Sequence, residues 1–225
     1  MSGLDALPTA EFGTKLTAEQ IQRILLQLGE VSIDLSHIIR KPRYPDGTRE
    51  TVIAHSYMLS IVAPAIAELL GGYDIGMIAF YSLAHEFAEL VTGDTATFSI
   101  SDEDLQQKTL AEAKSLHKVL DRLPPFWANI LIEYEKQHDP ESRFVRMVDK
   151  ILPVIVDILG QGERVMREDY GINTPEELDE AYESLYIRYT EMFPEQNLIL
   201  LHLARAGLAR IFAEQFKKSV ELQEA

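Results

Sequence analysis

Apolar residues recur at intervals of three and four along nearly every long segment of this 225-residue chain. This spacing is typical of amphipathic helices, and no segment alternates convincingly with the period of two that marks a strand. Glycine and proline clusters interrupt the pattern and supply helix ends. The sequence therefore predicts an all-α fold, with helices near residues 17–29, 30–39, 48–70, 74–91, 102–121, 125–137, 140–159, 175–192 and 195–218.

Three of these helices carry polar residues on the stripe that the pattern predicts to be buried. His55 falls in register with the apolar residues of its helix, and His85 and Glu86 approach the apolar side of the next helix. Asp149 lies on the apolar stripe of a third helix. Any one of these could be a hydrogen-bonded core residue, and for a lone buried histidine we favour that interpretation. Together, they place four ligand-type residues in one core.

Buried carboxylates strengthen this prediction, because a carboxylate taken out of water costs several kcal/mol unless it is paired or bound to a metal. The 74–91 helix contains no lysine or arginine, so Glu86 and Glu89 have no ion-pair partner on their own helix. The chain has no cysteine, so a transition metal would be held by imidazole and carboxylate. One divalent cation could compensate these charges.

Composition and charge narrow the class of protein. Hydrophobic residues make up 46% of the chain and the net charge is −15, so one globular domain over residues 1–225 is expected and binding to a nucleic-acid polymer is disfavoured. The N-terminus lacks a basic segment followed by an apolar run, and no stretch approaches twenty uninterrupted apolar residues. We therefore expect a cytoplasmic protein that does not enter a membrane.

Local positive charge interrupts this acidic chain in one short loop, RKPRYPDGTRE. The loop contains Arg40, Lys41, Arg43 and Arg49. It could bind a small anion or be an ordinary solvated loop, and the sequence alone favours neither.

The order of His55, His85-Glu86 and Asp149 on three helices resembles the H…HD…D motif of the HD-domain metal-dependent phosphohydrolases. Within that superfamily, the segments AHS at 54–56, HEFAELVTGD at 85–94 and EYEKQHDPESRFVRMVDK at 133–150 are most similar to the 5′-deoxynucleotidase branch. That branch has the motif HD-x-x-E-x-x-x-G-D and an arginine fifteen residues before its first histidine, where this chain has Arg40. The resemblance covers about residues 40–160.

The resemblance implies a helical bundle around one buried divalent metal ion (Co, Mn, Zn, Fe or Mg) and a role for each matching residue. The metal ligands would be His55, His85, Glu86 and Asp149. Glu89 would be the acid-base residue, Asp94 would orient the sugar or the attacking water, and Arg40 would bind the phosphate. Gly93-Asp94 could also be an ordinary helix end and turn.

Three departures separate this chain from the family pattern. Glu86 replaces the aspartate of the His-Asp dipeptide. Its longer side chain can still bind a metal, but the extra methylene moves the carboxylate oxygens and so bears on which ion is selected. The segment TATFSIS after Asp94 lacks the proline and lysine common in the family, and Lys41 stands where some members have an aromatic residue. The last two departures bear on base and sugar preference.

Three functions are therefore compatible with the sequence. The first is removal of the 5′-phosphate from (deoxy)nucleoside monophosphates. The second is a deoxynucleoside triphosphate triphosphohydrolase, in which Arg43, Arg49 and Lys108 would supply the additional positive charge. The third is a catalytically silent nucleotide-sensing or interaction protein, which the His-Glu dipeptide suggests.

Residues 161–225 match no motif and are predicted to form two amphipathic helices. Thr174-Pro175-Glu176-Glu177 is a typical helix start. An apolar stripe in the last helix is predicted to cover the metal core, to form a homodimer surface, or simply to pack within the subunit. Its members are Leu201, Ala204, Leu208 and Ile211.

Overall fold

The computed structural model describes residues 16–93 and 116–224 of the chain. These ranges form helices and one short β-hairpin, which confirms the predicted all-α class. The helices are α1 (Ala18–His37), α2 (Val52–Leu70), α3 (Ile75–Ala84), α4 (Glu89–Thr92), α5 (Pro125–Lys136), α6 (Pro140–Asp149), α7 (Leu152–Leu159), α8 (Gly162–Tyr170), α9 (Pro175–Met192) and α10 (Ile199–Glu224), with a 3₁₀ turn at Gln196–Leu198. Residues 116–120 are also helical, and the rest of the predicted 102–121 helix lies outside the described ranges.

Helix α1 is continuous where the pattern predicted two helices. It begins with a capping box in which Thr17 and Gln20 satisfy each other's backbone N–H groups. Gly29 lies inside the helix with no atom near its Cα that an added side chain would meet. A glycine in this position costs a helix only about 1 kcal/mol, which is too little to break it.

The hairpin was not predicted. Strands β1 (Ile39–Arg43) and β2 (Arg49–Thr51) pair antiparallel across a tight turn, in which the Gly47 N–H donates to the Tyr44 carbonyl. Gly47 has a φ of 85°, which favours glycine. Strands of five and three residues are too short to show a period of two. The predicted 48–70 helix therefore begins only at Val52, where the Thr51 side chain accepts a hydrogen bond from the Ala54 N–H.

Two predicted helices are interrupted next to candidate site residues. The 74–91 helix ends at Ala84 and resumes at Glu89, and the intervening turn has 3₁₀-type hydrogen bonds. The 140–159 helix ends at Asp149 and resumes at Leu152. Pro153 has no N–H to donate to the carbonyl of Asp149, so the α-helix cannot continue through that point.

Helix α2 lies at the centre of the bundle, in contact with α1, α3, α6 and α7. Within the described residues it is the one helix long and apolar enough to cross a membrane by length and composition. Its inner face nevertheless lies in the protein core, with Leu59 and Ala63 fully buried. Core helices of soluble proteins often have this composition, so the expected absence of a membrane span stays a prediction.

The C-terminal segment differs from its prediction in two respects. Helix α8 lies outside the predicted helices, because GQG at 160–162 indicates a helix end, whereas Gly162 is the first residue of α8. In α10 the predicted stripe does not pack as a whole within the subunit, since Ala204 and Ile211 are exposed and only Leu201 is buried. A homodimer surface on this stripe stays a prediction. The buried stripe of α10 is instead Leu201, Arg205, Ala209, Phe212 and Phe216.

Candidate metal centre

Four side chains from three parts of the bundle converge at one buried point. His55 comes from the first turns of α2, His85 and Glu86 follow the end of α3, and Asp149 is the last residue of α6. Each is at most 8% exposed, and one potential donor atom from each lies within 4.8 Å of the other three. The structure thus brings together the four predicted ligands.

The spacing of the donor atoms suits one ion. His85 Nε2 lies 3.4 Å from Glu86 Oε1 and 3.8 Å from Asp149 Oδ1, and His55 Nε2 lies 3.7 Å from Glu86 Oε1. Ligands about 2.1 Å from one ion in a tetrahedral shell are about 3.4 Å apart. His55 Nε2 and Asp149 Oδ1 are closer, at 2.8 Å, and share a hydrogen bond.

The two histidines differ in the ring nitrogen that faces the cluster. His85 Nδ1 lies 2.9 Å from the Ser82 carbonyl, which fixes the proton on Nδ1, and the buried Nε2 makes no hydrogen bond. For His55, burial and the nearby Arg40 lower the pKa to about 4. His55 is therefore neutral at physiological pH, and its Nε2 donates to the ionised Asp149 carboxylate. That proton must leave Nε2 before this atom can bind an ion.

The two carboxylates are ionised although they are buried. Burial opposes ionisation of Glu86, but His85 and Arg40 outweigh it and lower the pKa of that carboxyl. Burial likewise opposes ionisation of Asp149, and Lys150 and His55 hold its pKa well below the usual range. Two imidazoles and two carboxylates form a donor set for a divalent transition ion.

Two cations border the cluster. Arg40, on β1, places Nη1 2.6 Å from Glu86 Oε1 and Nε 3.1 Å from Glu50 Oε2. Lys150, which follows Asp149, places Nζ 2.8 Å from Asp149 Oδ2. Glu86 has no ion-pair partner on its own predicted helix, and the hairpin supplies one in Arg40.

Two charged residues beside the cluster, Glu50 and Lys150, were not among the predicted site residues. Glu50 is fully buried, with Oε2 3.6 Å from His55 Nδ1, and burial raises its pKa to about 7. The predicted 48–70 helix has Glu50 in its first turn, whereas the structure places it on strand β2, which turns it inward. The sequence offers one weak indication for Lys150, which is that it directly follows the predicted ligand Asp149.

The other basic residues of the hairpin contact helix α8. Arg49 Nη2 lies 2.6 Å from Asp169 Oδ1, and Arg43 Nη2 lies 3.3 Å from Glu168 Oε2. Lys41 donates to the Asp169 carbonyl. These interactions attach the hairpin to α8, and they engage both Arg43 and Arg49, which were predicted to bind phosphate.

Glu89 begins α4, one 3₁₀ turn beyond Glu86, and is 6% exposed. Its N–H donates to the Glu86 carbonyl at 3.0 Å, and its carboxylate accepts a hydrogen bond from Thr92 Oγ1. The predicted site residues Asp94 and Lys108 lie outside the described residues.

Comparison with known proteins agrees with this arrangement. Residues 34–185 match the HD domain family, so the chain belongs to that family. The fold is similar to the crystal structure of a predicted metal-dependent phosphohydrolase from Magnetospirillum magnetotacticum MS-1, with a TM-score of 0.63 and 20% sequence identity over 88% of this chain and 96% of that one. No curated protein sequence matches the chain.

Proposed function

We propose that this HD-domain chain is a metal-dependent phosphohydrolase that removes the 5′-phosphate from (deoxy)nucleoside monophosphates. The principal support is the buried cluster itself, in which His85 Nε2 makes no hydrogen bond and faces two ionised carboxylates. A structural role alone gives no reason to bury two imidazoles around paired acids. His55, His85, Glu86 and Asp149 would hold the ion.

The residues around the cluster suit phosphate chemistry. A divalent ion held there would withdraw charge from a phosphoryl oxygen and lower the pKa of water. Arg40 and Lys150 provide positive charge on two sides of the donors. The planar guanidinium of Arg40 can donate two hydrogen bonds to one phosphate and stays charged at any working pH. Glu89 would accept the proton of the attacking water.

The ion-pair partners of the basic residues favour a monophosphate over a triphosphate. The triphosphatase hypothesis assigned Arg43 and Arg49 to additional phosphates, but both guanidinium groups are paired with acidic residues of α8. Using them on a substrate would break these ion pairs. Arg40 and Lys150 are also paired, but with the predicted ligands Glu86 and Asp149. A divalent ion held by these carboxylates would compensate their charge and leave both cations available for one phosphate group.

The test is a panel of nucleoside mono-, di- and triphosphates assayed with Mn²⁺, Co²⁺ and Mg²⁺ and scored for phosphate, pyrophosphate and triphosphate. We expect orthophosphate from the 5′-monophosphates and none with Asp149→Ala. Release of triphosphate would instead identify the alternative enzyme. A metal-loaded protein that hydrolyses no nucleotide would contradict the proposal and favour the silent nucleotide-binding function.

A further inference from the structure

Arg205 is a buried cation in the C-terminal helix α10. It is 4% exposed, its Nε donates to the Lys150 carbonyl at 3.0 Å, and its guanidinium lies 4.6 Å from the centre of the Tyr189 ring. Neither partner is an acid, and no carboxylate of residues 16–93 or 116–224 forms an ion pair with it. Because arginine does not lose its proton, this charge remains where burial makes it costly.

Arg205 also lines a groove of about 320 Å³ between α9 and α10. Tyr182, Tyr186 and Leu203 form its walls, and small alanine side chains leave the space open. This volume is at the lower end of the range for small-molecule sites, which typically combine apolar walls with a few fixed polar groups. The groove is lined by residues 179–213, so most of it lies beyond the part of the chain that matches the HD domain.

We propose that this groove binds a small apolar molecule through a single carboxylate, which pairs with Arg205. A carboxylate would supply the ion-pair partner that Arg205 lacks among residues 16–93 and 116–224, and the fork of the guanidinium matches its two oxygens. The apolar body of the ligand would contact the tyrosines and alanines.

The rim of the groove limits the charge of the ligand. Asp179 and Glu183 are exposed at the rim, with Arg210 as the one rim cation among the lining residues. These acids would repel a phosphate dianion or a polyphosphate more strongly than a carboxylate. The groove is therefore not a second nucleotide site, and its ligand differs in chemistry from the substrate proposed for the metal centre.

Calorimetric titration of the full chain with phenylacetate, phenethylamine and inorganic phosphate tests this inference. We expect one phenylacetate to bind per chain, no binding of phenethylamine, and no competition by phosphate. Arg205→Met should weaken phenylacetate binding by roughly tenfold or more, whereas Arg210→Met at the rim should leave most of the affinity. Equal affinity in Arg205→Met, or displacement of phenylacetate by phosphate, would overturn the assignment.

A second variant avoids dependence on the folding of Arg205→Met. Ala206→Leu fills the groove from a partly exposed position and leaves Arg205 in place. It should abolish phenylacetate binding while leaving metal content unchanged, and persistent binding would contradict the proposed location. Because the readout is binding rather than hydrolysis, failure of this inference is distinct from failure of the proposed phosphohydrolase function.

Discussion

Arg40 Nη1 lies 2.6 Å from Glu86 Oε1, so the residue predicted to bind phosphate contacts a predicted metal ligand. The contact joins the hairpin to the turn after α3 and depends on the length of the Glu86 side chain. An aspartate, the usual residue of the His-Asp motif, would withdraw the carboxylate by about the length of one methylene. The substitution that sets this chain apart from the motif is therefore matched by a specific partner.

Glu86→Asp tests this match. The shorter side chain should lose the contact with Arg40 and weaken divalent-metal binding, by on the order of tenfold, as for other changes around metal ligands. Competition with a fluorescent chelator measures the affinity. Glu68→Asp, an exposed change on α2, serves as the control. Unchanged metal affinity in Glu86→Asp would show that the longer side chain and its contact with Arg40 are not needed for metal binding.

Removing a predicted ligand should remove the metal. The purified chain is expected to hold about one divalent ion, and His85→Ala should hold none because Nε2 is the donor that makes no hydrogen bond in the cluster. Elemental analysis measures the stoichiometry. His138→Ala provides a matched control, since His138 is exposed. Stoichiometric metal in His85→Ala would show that the site lies elsewhere.

Arg40→Ala should separate substrate binding from metal binding. Loss of the guanidinium is expected to raise KM for a 5′-monophosphate by roughly tenfold or more, while metal content is retained. Arg49→Ala is the control, because Arg49 pairs with Asp169 on α8. If both variants change KM equally, the hairpin acts through its structure rather than through Arg40.

The same variant should also show how Glu86 and Glu50 are compensated. Without Arg40 these buried carboxylates lose a cation, and breaking a buried pair typically costs about 3–5 kcal/mol. A bound metal would restore part of the lost stabilisation, because it would compensate the charge of Glu86. The melting temperature of Arg40→Ala should therefore rise more on metal addition than that of the unchanged chain.

Sequence periodicity was sufficient for the helical class and for the convergence of the four predicted ligands. His55 and Asp149 repeat with apolar neighbours, and that register holds regardless of helix ends. The breaks were harder to locate, because the turn after Ala84 keeps nearly the same local pattern as a helix. The hairpin placed Glu50 and Arg40 beside the cluster through pairing that no short-range pattern encodes.

Charge pairs between residues far apart in the sequence explain the remaining differences between the predictions and the structure. The sequence left open whether the basic loop binds an anion or is solvated, but Glu168 and Asp169 of the unpredicted helix α8 pair with Arg43 and Arg49. Arg205 was not predicted as a site residue, because a buried charge breaks the apolar pattern of its helix. It occupies a core position of α10 where an apolar residue is expected, and an arginine there shifts the apparent stripe to its neighbours.

Asp157 should make stability depend on pH. This α7 residue is 5% exposed, its Oδ1 makes no hydrogen bond, and burial, with smaller contributions from Glu50 and Glu163, raises its pKa to about 8. Unfolded, it titrates near pH 4. Between about pH 4 and 8 the folded state holds the extra proton, so the free energy of unfolding falls as pH rises.

Asp157→Asn, which is neutral throughout, should remove this dependence. It is expected to raise the free energy of unfolding at pH 8 by about 1 kcal/mol or more and to have little effect near pH 4. Urea denaturation at both pH values measures the difference. The exposed Asp121→Asn is the control. A destabilisation at pH 8 would mean that Asp157 is ionised and has a cationic partner.

Glu89→Gln should separate catalysis from stability. The amide has the shape of the carboxylate but cannot accept a proton, so turnover should fall on the order of 100-fold to 10,000-fold while metal and nucleotide still bind. Glu89 is buried one 3₁₀ turn from Glu86, and its carboxylate already accepts a hydrogen bond from Thr92. A purely structural Glu89 would explain that contact equally well.

Thr92→Val provides the matched control for this structural role. It removes the hydroxyl that donates to Glu89 and keeps the carboxylate, so it should change the melting temperature more than the turnover number. Activity, metal content and melting temperature are measured on the same preparation of each variant. A Glu89→Gln protein that melts early but turns over normally at low temperature would eliminate Glu89 as the base, whereas a folded, metal-loaded and inactive protein would assign it that role.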